Sequence, residues 1–483
     1  MKIPEPLRGL SLLVAAGFAL ACIAGFILLR ATPKPATSTS RPLTLTVWHY
    51  YSGLTQRAFH DLAARFNTTE GARLGIVIEP HSQGDIASLA DMVFRAARGD
   101  LGAPNMPDIF AAYPDSAFRV AELTALANLE PYLTPAEQAA YRPEFLEDGR
   151  MGPDNGLVIF PVAKSTENLF LNRTDWDAFA AATGATLDEL ATWEGVVRTA
   201  GRYHEWSGGR AFFRLDSPAN FILVTAWQLG EMPYALRNGR AEPTLTPRLA
   251  RALWDTYHAP FVRGWYAQVG PFCSDDARTG AIVAYIGSSA GAGYFPVEVS
   301  EGGAARPIDC DVLPYPRFKE GEPYAMLQGA GLCVVKSTPE RERAAARFLL
   351  WLTAPDQNLP FAALTGYLPP AKAALNEERI LDALPDSAVT STQPAVACSL
   401  RTSLAMLNDM RLTGTRPFAG SYALRERWNT LLPKLAQEAL EERKQRTAAG
   451  ESEETAVADL LSERAFEQWY ERLRRESAAA LGQ

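Results

Sequence analysis

The strongest constraint on the fold lies in residues 43–126, where strand-like and helix-like periods alternate. Leu43–Trp48 reads Leu-Thr-Leu-Thr-Val-Trp, the two-residue alternation of a strand. Leu54, Ala58, Phe59, Leu62, Ala63 and Phe66 then fall on one helical face. A strand is expected at Leu74–Glu79, a helix at Ile86–Arg98, a strand at Asp108–Tyr113 and a helix at Ser116–Leu126. Successive strand–helix–strand units build a parallel sheet covered by helices, and such sheets collect ligands at the carboxyl ends of their strands. Here those ends are Trp48-His49-Tyr50-Tyr51-Ser52, His81-Ser82-Gln83-Gly84 and Tyr113-Pro114-Asp115-Ser116. They offer aromatic rings, hydroxyls and amides, without a glycine-rich phosphate loop.

The middle of the chain changes character. Strands at Leu157–Val162 and Asn168–Leu171 flank Lys164-Ser165-Thr166, and helices dominate from there to Tyr266. Thr192 reads as a helix N-cap, Ser217–Leu229 as a helix, and Pro247–Tyr266 as one long helix. Ala281–Ile286 is a strand running into Gly287-Ser288-Ser289-Ala290-Gly291. Val312–Pro314 and Leu332–Val335 are further strands, separated by Gln328-Gly329-Ala330-Gly331. Helices follow at Pro339–Leu352, Asp356–Leu364, Arg425–Glu442 and Glu453–Leu473.

Composition excludes several classes. An apolar content of 47% supplies real cores, so the chain is not disordered. With 47 basic against 55 acidic residues, the net charge of −8 lacks the basic surplus of a nucleic-acid binder. Only one long apolar run exists, Gly9–Leu29, about the length needed to span a bilayer. Lys2 and Arg8 precede it, and Arg30, Lys34 and Arg41 follow, so the flanking charges do not set an orientation. Ala19-Leu20-Ala21 resembles a cleavage site, and Cys22 behind it is a candidate for lipidation. An uncleaved anchor through residues 9–29, a cleaved signal and a lipoprotein all stay open. Each places the chain beyond residue 42 outside the cytoplasmic membrane, periplasmic or at the cell surface. Residues 1–30 are thus an anchor or signal, and 31–42, rich in Pro, Ser and Thr, a tether.

The enzyme reading is weakest where it looks best. Gly287-Ser288-Ser289-Ala290-Gly291 fits a nucleophile elbow, which needs a helix after the serine and a later histidine. His49, His60, His81, His204 and His258 all precede Ser289, and Pro296 leaves little room for a helix. A small-residue turn at a strand end is the better reading, and no catalytic residue is expected. Asp275-Asp276 and the pair Asp309 and Asp311 read as solvated loop charges. Cys273, Cys310, Cys333 and Cys398 allow three full pairings, of which Cys273 with Cys310 is the preferred single bridge; buried unpaired thiols are the alternative. No C-x-x-C occurs and no histidine lies near a cysteine, so neither metal nor cofactor is expected.

Several segments together resemble the extracellular solute-binding proteins of ABC importers, in the group of the maltose- and glycerol-3-phosphate-binding proteins. They are LTVWHYYSG (45–53), PDIFAAY (107–113), FPVAKSTENLFLNR (160–173), TWEGVVRTAGRY (192–203), VLPYPRF (312–318), LQGAGLCVVKSTPERERAAARFLLWL (327–352) and TGYLPPAKAAL (365–375). The resemblance implies an α/β, two-lobed periplasmic-binding-protein fold of type II, with an N-terminal membrane segment and the ligand cleft between lobes. Lobe 1 would comprise 43–158 plus 310–355, and lobe 2 162–305 plus 370–475. Ile159–Val162, Cys310–Pro316 and Tyr367–Pro370 are the implied hinges. The implied function is capture of a carbohydrate or polyol and its delivery to the membrane permease, by an expected monomer. A glycerol-3-phosphate or glycerophosphodiester binder and a membrane-tethered sensor are the alternatives.

Motif positions carry over Ser52, Gln83, Ser165, Thr166, Ser289, Gly329 and Tyr367 as ligand-facing. Tyr50, Tyr51, Asp115 and Ser288 join them from strand-end chemistry, and Asp216 from the segment where the resemblance departs. Tyrosines stack on sugar faces, and Asp216 either accepts sugar hydroxyls or caps the helix after it. Where the glycerol-3-phosphate relatives carry a lobe-two tryptophan, this chain reads Phe213-Arg214-Leu215-Asp216-Ser217-Pro218. Arg416 is the nearest candidate for their phosphate-binding arginine.

Overall fold

The computed structural model describes residues 42–237, 240–384 and 394–482. Contacts divide the chain at Leu43/Thr44, and residues 44–483 form one body. The candidate membrane segment, Cys22 and the tether through residue 41 lie outside the described residues. Among the described residues no helix is long and apolar enough to cross a membrane.

The first half follows its periodicity closely. β1 (Leu43–His49) buries Leu45 and Val47, and α1 (Gly53–Thr68) buries Phe59, Leu62, Ala63 and Phe66. Leu74, expected to open a strand, instead ends a short helix that stops at left-handed Gly75 (φ 70°), a conformation glycine adopts without Cβ cost. β2 is therefore Ile76–Ser82. α2 (Ile86–Arg98) is capped by Asp85, whose carboxylate accepts from Ser88 N at 2.7 Å. After β3 (Ile109–Ala112), α3 begins at Pro114 and runs to Ala121, because proline suits a first helical turn.

Besides short two-stranded pairs, the remaining strands of the two large sheets are β4 (Ile159–Phe160), β5 (Glu167–Asn172), β6 (Phe213–Leu215), β7 (Ala284–Ser288), β8 (Cys310–Leu313) and β9 (Gly331–Val334). They complete two sheets. The first has the order β2-β1-β3-β9-β4, with β1 parallel to β3 and β9 antiparallel to β3 and β4. The second has the order β8-β5-β7-β6, with β5 antiparallel to β7 and β8 and β6 parallel to β7. Residues 310–313, expected with lobe 1, thus pair with β5 in the second sheet, where buried Val312 lies opposite Phe170.

Helices cover both sheets. α4 (Pro218–Gln228) is buried at every position, so it forms the centre of the second half. α5 (Pro339–Leu352) and α6 (Pro355–Thr365) pack on α1, whereas α7 (Pro394–Asp409) packs on β8. α8 (Ser421–Ala448) packs between α4 and α9 (Glu463–Ala480). The single helix expected over 247–266 is broken: α-turns at Pro247–Leu253 and Ala259–Val262 enclose a π-helical turn at Trp254–His258. Pro260 explains the break, since it lacks the N–H that an α-helix requires there. Asp276 is another correction. It is buried beside Arg214 (Nη1–Oδ2 2.5 Å) and accepts from Gly270 N at 2.6 Å, so it is a structural ion-pair partner rather than a solvated loop charge.

Three chain segments cross between the halves, and they are laced together. Ser165 exchanges backbone hydrogen bonds with Gln328 (2.8 and 2.9 Å), while Lys164 does so with Leu368 (2.9 and 2.6 Å). Gly329 makes the close approach feasible: it sits at φ 107°, and a Cβ there would lie 2.6 Å from the Ala163 carbonyl.

Candidate functional site

The crossing segments floor a cavity of about 360 Å³ between the two sheets. The first half supplies the start of α2 and the strand end Tyr113–Ser116. The second half supplies Glu167, Asp216, Ser217, Asn220 and Ser288, and the start of α8 adds Tyr422, Arg425, Glu426 and Asn429. Gln328 reaches it from the second crossing. The site therefore forms where strand ends of both sheets face each other, as the alternating pattern implied.

Arg425 ties the two walls. Its Nε lies 3.3 Å from Asp115 Oδ2 on α3, and its Nη2 donates to Asn220 Oδ1 at 2.8 Å. Asn220 Nδ2 in turn donates to Glu167 Oε1 at 2.8 Å and to Gln328 Oε1 at 3.3 Å. A continuous polar chain thus runs from the first sheet's α3, through α8 and α4, to the first residue of β5. Lys164 Nζ is committed elsewhere, to Asp148 Oδ2 at 2.5 Å and to the Gly329 carbonyl at 3.1 Å.

Glu167 is the most unusual group in the wall. Its residue is 2% exposed, and Oε2 has no hydrogen-bond partner among the described residues. Burial pushes its carboxyl up to about 7, against the Asn220 hydrogen bond, with the Asp216 charge adding to the rise. Asp216 faces the open cavity; the protein mass around it raises its carboxyl, while a hydrogen bond with the Cys273 thiol opposes the rise. Its cap role is taken by Ser217, whose Oγ accepts from Asn220 N at 3.3 Å, leaving Asp216 available to the cavity.

Of the residues singled out from sequence, Asp115, Asp216 and Ser288 line this cavity. Ser165 and Gly329 lie in the hinge ladder just below it. Thr166 and Ser289 are buried together, where Thr166 N donates to Ser289 Oγ at 3.3 Å. After Ser289 comes only a 3₁₀ segment, so the Gly287–Gly291 run is a turn. Tyr50 and Tyr367 meet through hydroxyls 3.2 Å apart, beside Tyr113, and burial pushes their phenols up so that they stay neutral. Tyr51 packs into the aromatic group of His49, Phe59 and Phe361. Ser52 is the exposed N-cap residue of α1, and Gln83 bonds the His49 carbonyl through its backbone N–H at 2.9 Å. None of these lines the cavity.

Arg416 lines a second, larger space of about 890 Å³. Asp148 and Thr415 line both spaces, so the two are neighbours. The larger one presents Trp227, Tyr234 and Tyr324 together with exposed Met232 and Leu236. There Arg416 is paired with Glu147 at the surface, apart from Glu167 and Arg425.

Glu167, Asn220, Gln328, Tyr422, Arg425 and Asn429 went unnoticed in the sequence. A signal existed for Glu167, an acid directly after Lys164-Ser165-Thr166 in a strand buried at every position. Arg425 and Asn429 carried none, since they sit on an ordinary charged helix. Among the described residues no group of three or more His, Cys, Asp or Glu gathers to hold a metal.

A family model described as bacterial extracellular solute-binding protein matches residues 61–386. The cyclic alpha-maltosyl-1,6-maltose binding protein of Arthrobacter globiformis is 20% identical, with a TM-score of 0.64 over 91% of this chain and 99% of that one. UgpB from Mycobacterium tuberculosis, solved in complex with glycerophosphocholine, is 18% identical, with a TM-score of 0.60 over 90% and 99%. Maltose-bound MalE3 of T. maritima is 16% identical, with a TM-score of 0.57 over 88% and 99%. At these identities the likeness is one of fold. No curated protein matches the chain.

Proposed function

Because the chain belongs to the bacterial extracellular solute-binding proteins, we propose that its inner cavity captures a neutral, hydroxyl-rich solute, a carbohydrate or polyol. The protein then presents that solute to the permease subunits of an ABC importer. The observation that carries this reading is Glu167: a buried carboxyl with one oxygen unpartnered, at the wall of a cavity that also presents amides, serines, tyrosines and further carboxylates. A ligand hydroxyl satisfies that oxygen, whereas leaving it unmet costs about 1–3 kcal/mol.

Charge argues against a phosphate. Among the described residues lining the cavity, Arg425 is the only cation, and Asp115 and Asn220 already hold it. Asp115, Asp148, Glu167, Asp216 and Glu426 line the same space. A phosphate there meets excess negative charge and no uncommitted cation. The volume suits a small solute, since such sites run to about 300–1,000 Å³. The adjoining space with Trp227, Tyr234 and Tyr324 gives further sugar rings aromatic surfaces to stack on. Two of the structural relatives carry maltose-type saccharides by name, which favours the same class.

Closure follows from the connections. Ligand bridging Asp216 or Glu167 to the first-half wall adds to the Asp115–Arg425 contact and shifts the population toward the closed form. The test is a thermal-shift and calorimetric series with maltose, maltotriose, sorbitol, glycerol 3-phosphate and glycerophosphocholine. A true ligand at 100 times its dissociation constant stabilises the protein by about 2.7 kcal/mol. Neutral saccharides or polyols are expected to produce the shift. A shift from the phosphate compounds alone would overturn the assignment.

A further inference from the structure

The packing of α7 on β8 brings two cysteines together. Thr402 Oγ1 donates to the Val312 carbonyl at 2.7 Å, which fixes the height of the helix on the strand. Asn168 Nδ2 on neighbouring β5 donates to Ser399 Oγ at 2.9 Å and Ser403 Oγ at 3.0 Å, which fixes its rotation. Cys398 lies one turn before Thr402, and Cys310 two residues before Val312 on the same strand face. A helical turn advances about 5.4 Å and two strand residues about 6.6 Å, so the two steps nearly match. The thiols are accordingly in side-chain hydrogen-bond contact. Both residues are half-buried and within reach of reagents. The expected Cys273–Cys310 bridge is not the one the fold prepares. Cys273 is buried against Asp216, and Cys333 is buried in β9.

We propose that Cys310 and Cys398 form a disulfide in the mature protein. The proposal rests on the family's extracellular setting, where thiols meet disulfide-bearing oxidants, and not on the identity of the solute. The hydrogen bond from Cys310 favours a thiolate on Cys398, which can open the exchange. Its thiolate attacks a disulfide R–S–S–R, forming a mixed disulfide and expelling RS⁻. The Cys310 thiol then loses its proton, and its sulfur attacks that of Cys398, forming the internal S–S bond and expelling the second RS⁻. Two cysteine thiols are oxidised, one external disulfide is reduced to two RSH, and the two cysteine protons balance the two released thiolates.

The bond would close residues 311–397 into a loop. That segment leaves the second sheet, supplies β9, α5 and α6 to the first half, and returns. Its start and finish would be joined covalently on the second-half side of the hinge.

The test uses the full chain, reduced and then equilibrated with reduced and oxidised glutathione near pH 7.5. Remaining thiols are blocked with N-ethylmaleimide in denaturant, and the protein is digested without reductant for mass spectrometry. A peptide holding Cys310 joined to one holding Cys398 is expected, lacking two hydrogens relative to the separate peptides. Cys273 and Cys333 are expected to carry the blocking group. Cys273→Ser should leave the linked peptide in place, whereas Cys310→Ser and Cys398→Ser should each remove it. Dithiothreitol should lower the melting temperature of the oxidised protein by a few degrees and leave a Cys310→Ser/Cys398→Ser protein unchanged. Alkylation of both Cys310 and Cys398 after oxidation, or a link from either to another cysteine, overturns the pairing. A linked pair whose reduction leaves melting unchanged overturns its structural role. Neither readout depends on which solute binds.

Discussion

Glu167→Gln is expected to raise stability at alkaline pH while weakening solute capture. The side chains are close in shape, and the glutamine carbonyl still accepts from Asn220 Nδ2, now 2.8 Å from Glu167 Oε1. What changes is the ionisation. The carboxyl ionises at about 7 in the folded protein against an ordinary value of 4.5. The folded state therefore holds this proton more tightly than the unfolded chain does. Its contribution to stability is complete below pH 4.5 and is lost as pH rises through 7. At about 1.4 kcal/mol per tenfold change in proton affinity, the loss reaches about 3 kcal/mol by pH 8. Glutamine escapes it. With about 2.1 cal/mol/K of unfolding entropy per residue over roughly 440 residues, that corresponds to about 3 °C. Melting curves of ligand-free protein at pH 4.5, 6, 7 and 8 should therefore separate progressively, the variant melting higher at pH 8 and level with the parent at pH 4.5. Calorimetry at pH 8, where the Glu167 carboxyl is ionised, with the saccharide found by screening should show affinity falling by roughly tenfold to a hundredfold, the value of a hydrogen bond to a charged acceptor. A melting difference that is flat with pH refutes the buried-carboxyl argument. Unchanged affinity refutes its role in the cavity.

Arg425→Ala removes the contacts to Asp115 and Asn220. Affinity is expected to fall about tenfold or more, and the ligand-free protein to show a larger radius of gyration by small-angle scattering; an unchanged radius would mean the contact does not bias closure. Gly329→Ala forces an L-residue to φ 107° with a Cβ 2.6 Å from the Ala163 carbonyl. A stability loss of about 1–3 kcal/mol or more should appear in urea titration. Asp276→Asn leaves the buried Arg214 guanidinium without its counter-ion. The urea midpoint should fall by the equivalent of about 3–5 kcal/mol, with affinity retained by whatever fraction stays folded.

Sequence periodicity located most of the framework because burial imposes the period. α2 runs from Ile86 to Arg98 as its apolar spacing implies, and β1 and β3 coincide with their apolar runs to within a residue or two. Errors arose where backbone chemistry overrode pattern, at Gly75, which ends a helix inside an apparent strand, and at Pro260, which opens a π turn inside an apparent helix. The site was less legible. Strand-end reasoning reached Asp115 and Ser288, whose positions follow from the sheet, and Asp216 came from the segment that departs from the family's pattern. Strand-end reasoning also pointed to Tyr51, and the family motif to Ser289, yet both are packed, because polar and aromatic residues at such positions serve packing as readily as recognition. Arg425 and Asn429 come from a helix whose sequence gives no hint that its first turns return to the cleft. Only the three-dimensional path of α8 brings them to Asp115 and Asn220. The cysteines follow the same rule, since pairing depends on the height of α7 on β8 and not on spacing.

The order in which the strands are made has a bearing on when this protein can act. β9, at residues 331–334, sits between β3 and β4, so the first sheet stays open in its middle until that stretch has emerged. The cavity waits longer still, because Tyr422, Arg425 and Asn429 arrive on α8. A nascent chain thus has neither a finished first sheet nor a complete cavity wall, and for that interval the inner edges of β3 and β4 stand unpaired. On the proposed reading the cavity wall is complete only when α8 docks, so a chain cut short before residue 421 is expected to retain both sheets' strands yet lose solute recognition. Competence to bind would therefore report that the chain has been made at least through the first turns of α8.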